Sequence, residues 1–232
     1  MSYAAFLLIF VALPLVSLLF FGRRQGVLNK EILTGILVLC LIALLYTSPW
    51  DNYLIKKGIW NYPEGAVLGT LGYVPLEEYG FMVLQTGLAG ALFALSMRKV
   101  NFGKLGFNPI GILLSSFVGI LGVVCLSAER GTYAGLILLW AFPPLAIQWA
   151  LGGRVLLATF SRWIVTWVIF TAYLCFADSF AIYEGIWFLN VKTRSGIEIG
   201  NLPIEEALFF ATTNLFVLQG LSLWQAWRKG TT

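Results

Sequence analysis

The sequence predicts an all-α membrane protein with seven transmembrane helices, built from two parallel three-helix repeats that a linking helix joins. Three observations lead to this prediction. Of the 232 residues, 59% are hydrophobic and only 11% are charged, whereas an ordinary soluble domain has about 25% charged residues. Apolar runs recur at lengths of about 20 residues, which span a bilayer as helix. A polar motif occurs twice, each time between two such runs.

Seven apolar runs are long enough to cross a bilayer. They cover approximately residues 3–21, 31–48, 76–96, 109–127, 133–151, 160–177 and 204–225. The first run has no basic segment before it and no small-residue cleavage site after it, so we expect a retained helix rather than a signal peptide. The loops after the second and sixth runs are the long ones, and they contain the duplicated motif.

The basic residues divide unequally between the two ends of these helices. Ten of the fifteen lie in the odd-numbered loops and the C-terminal tail, namely Arg23, Arg24, Lys30, Arg98, Lys99, Lys104, Arg154, Arg162, Arg228 and Lys229. Because loops rich in Lys and Arg stay on the cytoplasmic side, we expect an outer N-terminus and a cytoplasmic C-terminus in the cell membrane. Ten of the eleven carboxylates then lie on the outer side, and only Glu31 does not.

The duplicated motif consists of an Asp, then Gly-Ile-Trp, then Pro-x-Glu-Glu before an apolar run. The copies are DNYLIKKGIWNY with GYVPLEEYGF in residues 51–81, and DSFAIYEGIWFL with GNLPIEEALF in residues 178–209. The similarity continues outside the motif, since YAAFLLIFVALP from Tyr3 aligns without gaps on YAGLILLWAFPP from Tyr133. Further matching pairs are Tyr46 with Tyr173, Asp51 with Asp178, Trp60 with Trp187, Pro75 with Pro203 and Glu78 with Glu206.

The alignment divides the chain into a first three-span repeat over residues 1–100, a linking span over 101–130 and a second three-span repeat over 131–232. A single linking span gives both repeats the same orientation, so they are related by an axis along the membrane normal. Both motifs therefore reach the same face at the same depth. The alternative interpretation is that the duplication serves only to build the helix bundle and has no catalytic meaning, although the copies share polar residues as well as hydrophobicity.

The Pro-x-Glu-Glu segments predict helix starts that carry two acidic residues each. Proline suits the first turn of a helix, and negative charge is favourable near a helix N-terminus, which explains such residues without a function. A carboxyl group that enters hydrocarbon is costly, however, and is usually functional. Adjacent residues point about 100° apart on a helix, so we expect Glu78 and Glu206 to face the bundle interior and Glu77 and Glu205 to lie nearer the interface.

These four glutamates, with Asp51 and Asp178, form the predicted catalytic group. Carboxyl groups clustered in a low dielectric cannot all ionise, so at least one should stay protonated near neutral pH and act as a general acid. Aromatic faces can stabilise a cation. The candidates for substrate binding and cation stabilisation are Trp60, Trp187, Tyr62, Tyr53, Phe81 and Phe209. The alternative interpretation is that these aromatic residues belong to a belt of Trp and Tyr at the bilayer interface and have no role in catalysis.

The residue types that are missing narrow the chemistry. The chain has no His, which removes the commonest metal ligand and general base, and we predict no metal site. It contains neither the dinucleotide-binding pattern G-x-G-x-x-G nor a Walker A motif, and its small basic excess suits membrane topology rather than nucleic-acid binding. An acid cluster with aromatics in a membrane suits protonation of a double bond in an apolar polyene, followed by loss of a different proton.

The segments SPWDNYLI, GIWNY and VPLEEYGF, with their second copies FADSFAIYEGIWFL and LPIEEALFF, resemble the small membrane-embedded lycopene cyclases. That family consists of two similar three-span subunits, or of both halves fused in one chain, and TYAGLILLWAFPP is similar to the start of its second half. The resemblance covers nearly the whole chain. It implies cyclisation of the linear end groups of lycopene to β-ionone rings, giving γ- or β-carotene, and it maps the family's acidic positions onto Glu77, Glu78, Glu205, Glu206, Asp51 and Asp178.

The chain departs from the longest family members in lacking a soluble prenyl-transferring domain, and Asn61-Tyr62 becomes Phe188-Leu189 in the second copy. Expected partners are lycopene, the lipid bilayer and other enzymes of carotenoid biosynthesis, with no nucleic acid. No cofactor is expected for redox-neutral chemistry, although a flavin without a recognisable motif stays open. Other functions also stay open: a carotenoid hydratase, which would quench the cation with water, or another enzyme that acts on carotenoid end groups, and a proton-coupled seven-span carrier.

Overall fold

A computed structural model describes residues 1–98 and 100–230 of the chain. Lys99, counted above among the basic residues of the third loop, lies outside the described residues, as do Thr231 and Thr232. Seven long helices make up most of the described chain. They are α1 Tyr3–Arg24, α2 Lys30–Lys56, α3 Leu76–Ser96, α4 Pro109–Cys125, α5 Thr132–Ala158, α6 Phe160–Tyr183 and α7 Ile204–Gly230.

Among the described residues, six of these helices are long and apolar enough to cross a membrane, and α4, with 17 residues, is a shorter apolar helix. The predicted all-α membrane protein is thereby confirmed. On α2, the side chains of Leu37, Leu41 and Leu45 are exposed and recur every four residues, the spacing of a single helix face. An exposed apolar stripe of this kind suits contact with lipid.

The structure corrects two predicted boundaries. The second span, predicted to end near residue 48, continues as helix to Lys56, and the sixth, predicted to end near residue 177, continues to Tyr183. Asp51 and Asp178 therefore lie on helices and not in the loops where the hydropathy pattern put them. Hydropathy marks where a helix leaves the hydrocarbon, and it does not register further helical turns whose polar side chains are buried against neighbouring helices.

The elements that carry the motif meet at one end of the bundle, which we call the motif end. Helices α1, α3, α5 and α7 begin there, and α2 and α6 end there. The Tyr3 N–H donates to the Ala66 carbonyl (3.3 Å) and the Tyr133 N–H donates to the Thr193 carbonyl (2.9 Å), so that each long loop is tied to a helix start. At the opposite end, the Trp224 indole of α7 donates to the carbonyl of Glu31 (2.9 Å).

Short strands fold the two long loops over the motif end. They are β1 Trp60–Asn61, β2 Thr70–Leu71, β3 Val74–Pro75, β4 Phe188–Leu189, β5 Glu198–Ile199 and β6 Leu202–Pro203. The hairpins β2–β3 and β5–β6 turn at Gly72 and Gly200, both with φ of 68°, a conformation that favours glycine. Strand β1 pairs with β4 in antiparallel register, with Trp60 opposite Leu189. The first Gly-Ile-Trp segment therefore pairs, through Trp60, with the strand that directly follows the second.

Two tyrosines bond to helix carbonyls that proline leaves free. The Tyr46 hydroxyl donates to the Trp140 carbonyl in α5 (2.6 Å), and Pro144, four residues later, has no N–H with which to bond that carbonyl. The matching contact runs from the Tyr173 hydroxyl to the Phe10 carbonyl in α1 (2.7 Å), where the residue four positions later is again proline. This second carbonyl lies in a π-helical turn of α1. Each bond links one half of the chain to the other.

Candidate functional site

Six carboxyl groups are buried at the motif end, on helices α2, α3, α6 and α7. They belong to Asp51, Glu77, Glu78, Asp178, Glu205 and Glu206, and each is at most 6% exposed. The ion pairs in the described part of the chain, Met1 with Glu184 and Arg194 with Glu198, do not involve them. Because a buried carboxylate without a countercharge is costly, the hydrogen bonds of each group decide whether it can hold a charge.

Glu78 accepts hydrogen bonds from two phenols. The hydroxyl groups of Tyr3 and Tyr62 both donate to its Oε2, Tyr62 at 3.1 Å, and the two phenol rings stack with centroids 6.0 Å apart. Burial, and then the charge of the neighbouring Glu78, raise the pKa of the Tyr62 phenol well above its usual value, so this hydroxyl remains a donor. Two donors on one oxygen stabilise the negative charge of a carboxylate.

Glu206 occupies the matching position but accepts one phenol bond, from the Tyr133 hydroxyl to its Oε1 at 2.7 Å. Tyr133 aligns with Tyr3, whereas the position that matches Tyr62 is Leu189, which cannot donate. The two glutamates are therefore equivalent in position and unequal in hydrogen bonding.

The two aspartates differ in the same way. Oδ1 of Asp178 accepts a bond of 3.0 Å from the indole N–H of Trp187, nine residues later. Within the described residues, Oδ1 of Asp51 is buried without a hydrogen-bond partner, although Trp60 follows it at the same spacing. A carboxyl group in such surroundings is least costly in its neutral, protonated form.

Glu77 and Glu205 hold the two long loops. Oε1 of Glu77 accepts the Leu68 N–H (2.8 Å), and Oε1 of Glu205 accepts the Ser195 N–H (2.6 Å). At 4% and 1% exposure these two side chains are as buried as the glutamates beside them, and their position relative to the membrane interface stays a prediction. The loops that they bind fold back over the motif end and cover them, which helix spacing alone does not reveal.

Each motif tryptophan packs against the tyrosine that begins the other half of the chain. The Trp187 ring centroid lies 5.0 Å from that of Tyr3, and the Trp60 centroid lies 5.9 Å from that of Tyr133. Trp60 also meets Phe209 edge-on at 5.6 Å. The pairing of β1 with β4 explains this crossed packing, because it holds Trp60 and Trp187 between the two halves of the chain.

A chamber of about 40 Å³ lies among these side chains. Three of the buried carboxyl groups line it, those of Glu78, Asp178 and Glu206. The predicted aromatic residues that line it are Trp60, Tyr62, Phe81, Trp187 and Phe209. A cavity of this size can hold water. One glutamate from each motif copy therefore lines the same cavity.

A larger cavity of about 370 Å³ adjoins the chamber, and we call it the apolar groove. Its walls come from α2, α3, α5 and α7, and its lining is mostly apolar. Asp51 and Glu78 line its end at the motif, and Glu78, Phe81 and Phe209 line both cavities. A buried acid pair thus lies where an apolar cavity meets a small chamber.

Tyr53 is the one predicted aromatic residue that does not reach these cavities. Its side chain is 46% exposed, and its ring lies 5.8 Å from the Lys57 ammonium group. Because residues two apart on a helix point to different sides, Tyr53 turns away from the site that Asp51 enters.

Sequence reasoning also missed Tyr3 and Tyr133 as partners of the glutamates. The repeat alignment paired these two tyrosines, but only the fold brings them to the carboxyl groups.

The fold and the site together define an integral membrane protein whose internal cavities combine apolar walls with buried acids. Among known proteins, the model of the family described as "Lycopene cyclase" matches residues 1–96 and 130–222. The chain belongs to this family, and the resemblance predicted from the motifs is confirmed.

Two named relatives match nearly the whole chain. They are the "Lycopene beta-cyclase" proteins of Halobacterium salinarum strains ATCC 29341 / DSM 671 / R1 and ATCC 700922 / JCM 11081 / NRC-1, each 41% identical over 97% of this chain and 96% of the relative. A "Bifunctional lycopene cyclase/phytoene synthase" of Arthroderma gypseum is 35% identical over 81% of this chain and 35% of its own length. No solved structure matches the chain. Membership of an enzyme family, as predicted, is confirmed.

Proposed function

We propose that this chain is a lycopene β-cyclase, which converts the linear end groups of lycopene to β-ionone rings and yields γ- and β-carotene. The family match and the names of the relatives support this activity. The observation that carries the proposal is the presence of Asp51 and Glu78 at the inner end of the apolar groove, with Glu206 in the adjoining chamber. A linear polyene needs an apolar cavity, and its cyclisation needs a proton donor and a proton acceptor at the end of that cavity.

The proposed reaction is an acid-initiated isomerisation. A protonated carboxyl group adds its proton to the terminal carbon–carbon double bond of the end group. The π electrons of a neighbouring double bond attack the resulting cation, which closes the ring and moves the positive charge onto a ring carbon. A carboxylate removes a proton from the adjacent carbon, and a new double bond forms there. One proton is gained and one is lost, so neither an oxidant nor a reductant is consumed.

Hydrogen bonding supports a division of roles among the carboxyl groups. We assign the proton donor to Asp51, because it lines the apolar groove and its Oδ1 is buried without a partner, which favours the neutral acid. We assign the acceptor to Glu78, because two phenols stabilise its negative charge. Glu206 and Asp178 share the chamber with Glu78, and we propose that Glu206 carries the proton back between turnovers.

Aromatic side chains around the groove and chamber are the proposed stabilisers of the cation. Phe81 and Phe209 line both cavities, and Trp60 and Trp187 line the chamber. The negative faces of aromatic rings attract a cation, and Trp60 and Phe209 lie edge-on to each other beside the chamber at a centroid separation of 5.6 Å. Glu77 and Glu205 are proposed to act through the loops that they hold rather than on the substrate.

We further propose that the chain crosses the membrane seven times as two parallel repeats, residues 1–100 and 131–232, joined by the linking span 101–130. The N-terminus would be outside and the C-terminus in the cytoplasm. The matched contacts support this arrangement, because Tyr46 with Trp140 and Tyr173 with Phe10 make the same bond in opposite directions between the halves.

No cofactor is proposed, because the reaction is redox-neutral. The lipid bilayer is the medium, and other enzymes of carotenoid biosynthesis are the proposed partners. The relative from Arthroderma gypseum supports such a partnership, because its name joins lycopene cyclase and phytoene synthase.

The test is to incubate the purified chain in lipid with lycopene, without reductant, in deuterated water. We expect γ- and β-carotene that carry deuterium from the solvent. A hydroxylated product would instead identify a hydratase. Proton flux in proteoliposomes with no carotenoid conversion would identify a carrier, and either result would refute the cyclase proposal.

A further inference from the structure

We propose that the apolar groove is the channel by which the substrate enters: the polyene chain slides in from the bilayer between α2 and α5, and its leading end group stops against Asp51 and Glu78. The inference rests on the proposed function and adds to it a binding site for the chain, an entry side and a direction of approach.

The groove opens towards the lipid. Ile42 on α2 and Ile147 on α5 both line it, and they are 52% and 60% exposed. Along α2 its lining extends from Leu39 to Asp51, which are twelve residues apart and so about 18 Å along the helix. A groove of this length takes one end of a long hydrocarbon chain, and its open side leaves the remainder of that chain in the bilayer.

Several polar groups in the groove wall have hydrogen-bond partners of their own, while in the described part of the chain the Gln148 Oε1 and the Trp140 indole N–H are buried without one. Gln85 donates to the Asn214 side chain (2.6 Å), and Gln148 donates to the Phe216 carbonyl (2.9 Å). The charged residues among the lining are Asp51 and Glu78, both at the motif end. A lipid acyl chain would fit the apolar walls equally well, but its terminal methyl group cannot react with two buried carboxyl groups. A polyene with a double bond at its end can accept a proton from one of them.

The two halves of the chain differ at the α2 wall of the groove. Ala43 and Thr47 line the groove on α2. By the alignment that pairs Tyr46 with Tyr173, the matching positions on α6 are Phe170 and Leu174, and these larger side chains are only 1% and 2% exposed. They fill the space that Ala43 and Thr47 leave open. In the described part of the chain, the α2 side is therefore open at two positions where the α6 side is packed.

The experiment transfers these two residues from the filled side to the open side. Ala43→Phe with Thr47→Leu should close the groove and raise the KM for lycopene about tenfold or more, since the substrate must displace packed side chains. Leu45→Phe is the matched control, because it adds a ring on the same helix at a side chain that is 69% exposed, and its KM should stay at the wild-type value. If the double variant does not accumulate folded in membranes, Ala43→Leu replaces it, with a smaller rise in KM.

Binding is measured separately in the Glu206→Gln variant, whose substitution lies outside the groove lining. Lycopene is achiral, so an induced circular dichroism band in its visible absorption reports a chiral protein site. We expect that band in Glu206→Gln and its loss when Ala43→Phe and Thr47→Leu are added. Wild-type KM in the groove-filling variant, or no band in Glu206→Gln while the wild type cyclises lycopene, would overturn the channel. A band that the filling removes, from a wild-type chain that forms no ring, would support the channel and refute the cyclase proposal.

Discussion

Replacing Tyr46 with Phe should destabilise the folded bundle by about 1–2 kcal/mol. The substitution removes the donor of the 2.6 Å bond to the Trp140 carbonyl. Hydrogen bonds between membrane helices contribute about 0.6 kcal/mol on average and up to about 1.7 kcal/mol, since polar groups in unassociated helices find other partners. Here Pro144 removes the N–H that would serve that carbonyl within α5, so we expect a value at the upper end, near the cost of a buried unsatisfied group.

A double-mutant cycle tests the reasoning. Pro144→Ala supplies the missing N–H, so the further cost of Tyr46→Phe should fall by about 1 kcal/mol in that background. The assay is equilibrium unfolding by a denaturing detergent in mixed micelles. Tyr53→Phe is the control, because its side chain is 46% exposed and should change stability by less than about 0.5 kcal/mol. An equal cost of Tyr46→Phe with Pro144 and with Ala at position 144 would refute the argument.

Three further predictions concern topology, the loops and alkaline pH. Reporter fusions after Lys104 and after Lys192 should lie on opposite sides of the membrane, and the same side for both would remove the seven-span proposal. Glu77→Gln should retain more than about half the wild-type turnover, since an amide oxygen still accepts the Leu68 N–H; a loss as large as that of Glu78→Gln would give Glu77 a direct role. Because burial and Glu78 hold the Tyr62 pKa above its usual value, its contribution to stability is complete below about pH 10 and declines as pH rises through the folded-state pKa. Detergent-unfolding curves of Tyr62→Phe should therefore show a shallower alkaline decline than those of the wild type, and equal slopes would contradict this.

Hydropathy predicted most of the helices. The third span, predicted over 76–96, is the helix Leu76–Ser96, because proline at its start and a loop at its end bound an apolar run of the right length. The second and sixth spans were predicted too short. Their last turns carry Asp51 and Asp178, and polar side chains there look like loop residues until the neighbouring helices that bury them are known.

The site was less accessible to sequence reasoning because its hydrogen bonds join residues far apart in the chain. The spacing of the motif identified the six carboxyl positions, and all six are buried. It gave no reason to connect Tyr3 with Glu78, which is 75 residues away, or Tyr133 with Glu206, which is 73 residues away. Nor could it show that Trp60 and Trp187 each pack against the other half of the chain, since that depends on the pairing of β1 with β4.

The last prediction concerns how many active sites the duplication makes. Two sites, one in each half, would leave each half with its own acid and its own channel. Instead, Glu78 and Glu206 line the same chamber, and the apolar groove reaches Glu78 from one side. Glu→Gln preserves shape and removes the titrating group, and general acid–base groups typically contribute about 10²–10⁴-fold to rate. With one site, Glu78→Gln and Glu206→Gln should each lower turnover by at least about 100-fold, and the double variant should be little worse than either single variant, because groups that act as a unit are not additive.

With two sites, each single variant should instead keep about half of the wild-type turnover, and only the double variant should be inactive. The measurement is the initial rate of γ-carotene formation from lycopene, normalised to folded protein, with Glu64→Gln as a control in the exposed part of the first loop. γ-Carotene is counted because it records one ring closure, whereas β-carotene requires both ends of the molecule to react. The proposed entry through the apolar groove makes the same point, since by that route the molecule must leave the groove and turn round before its second end can reach Asp51 and Glu78. Half-active single variants would therefore refute both the shared chamber and the single route into it.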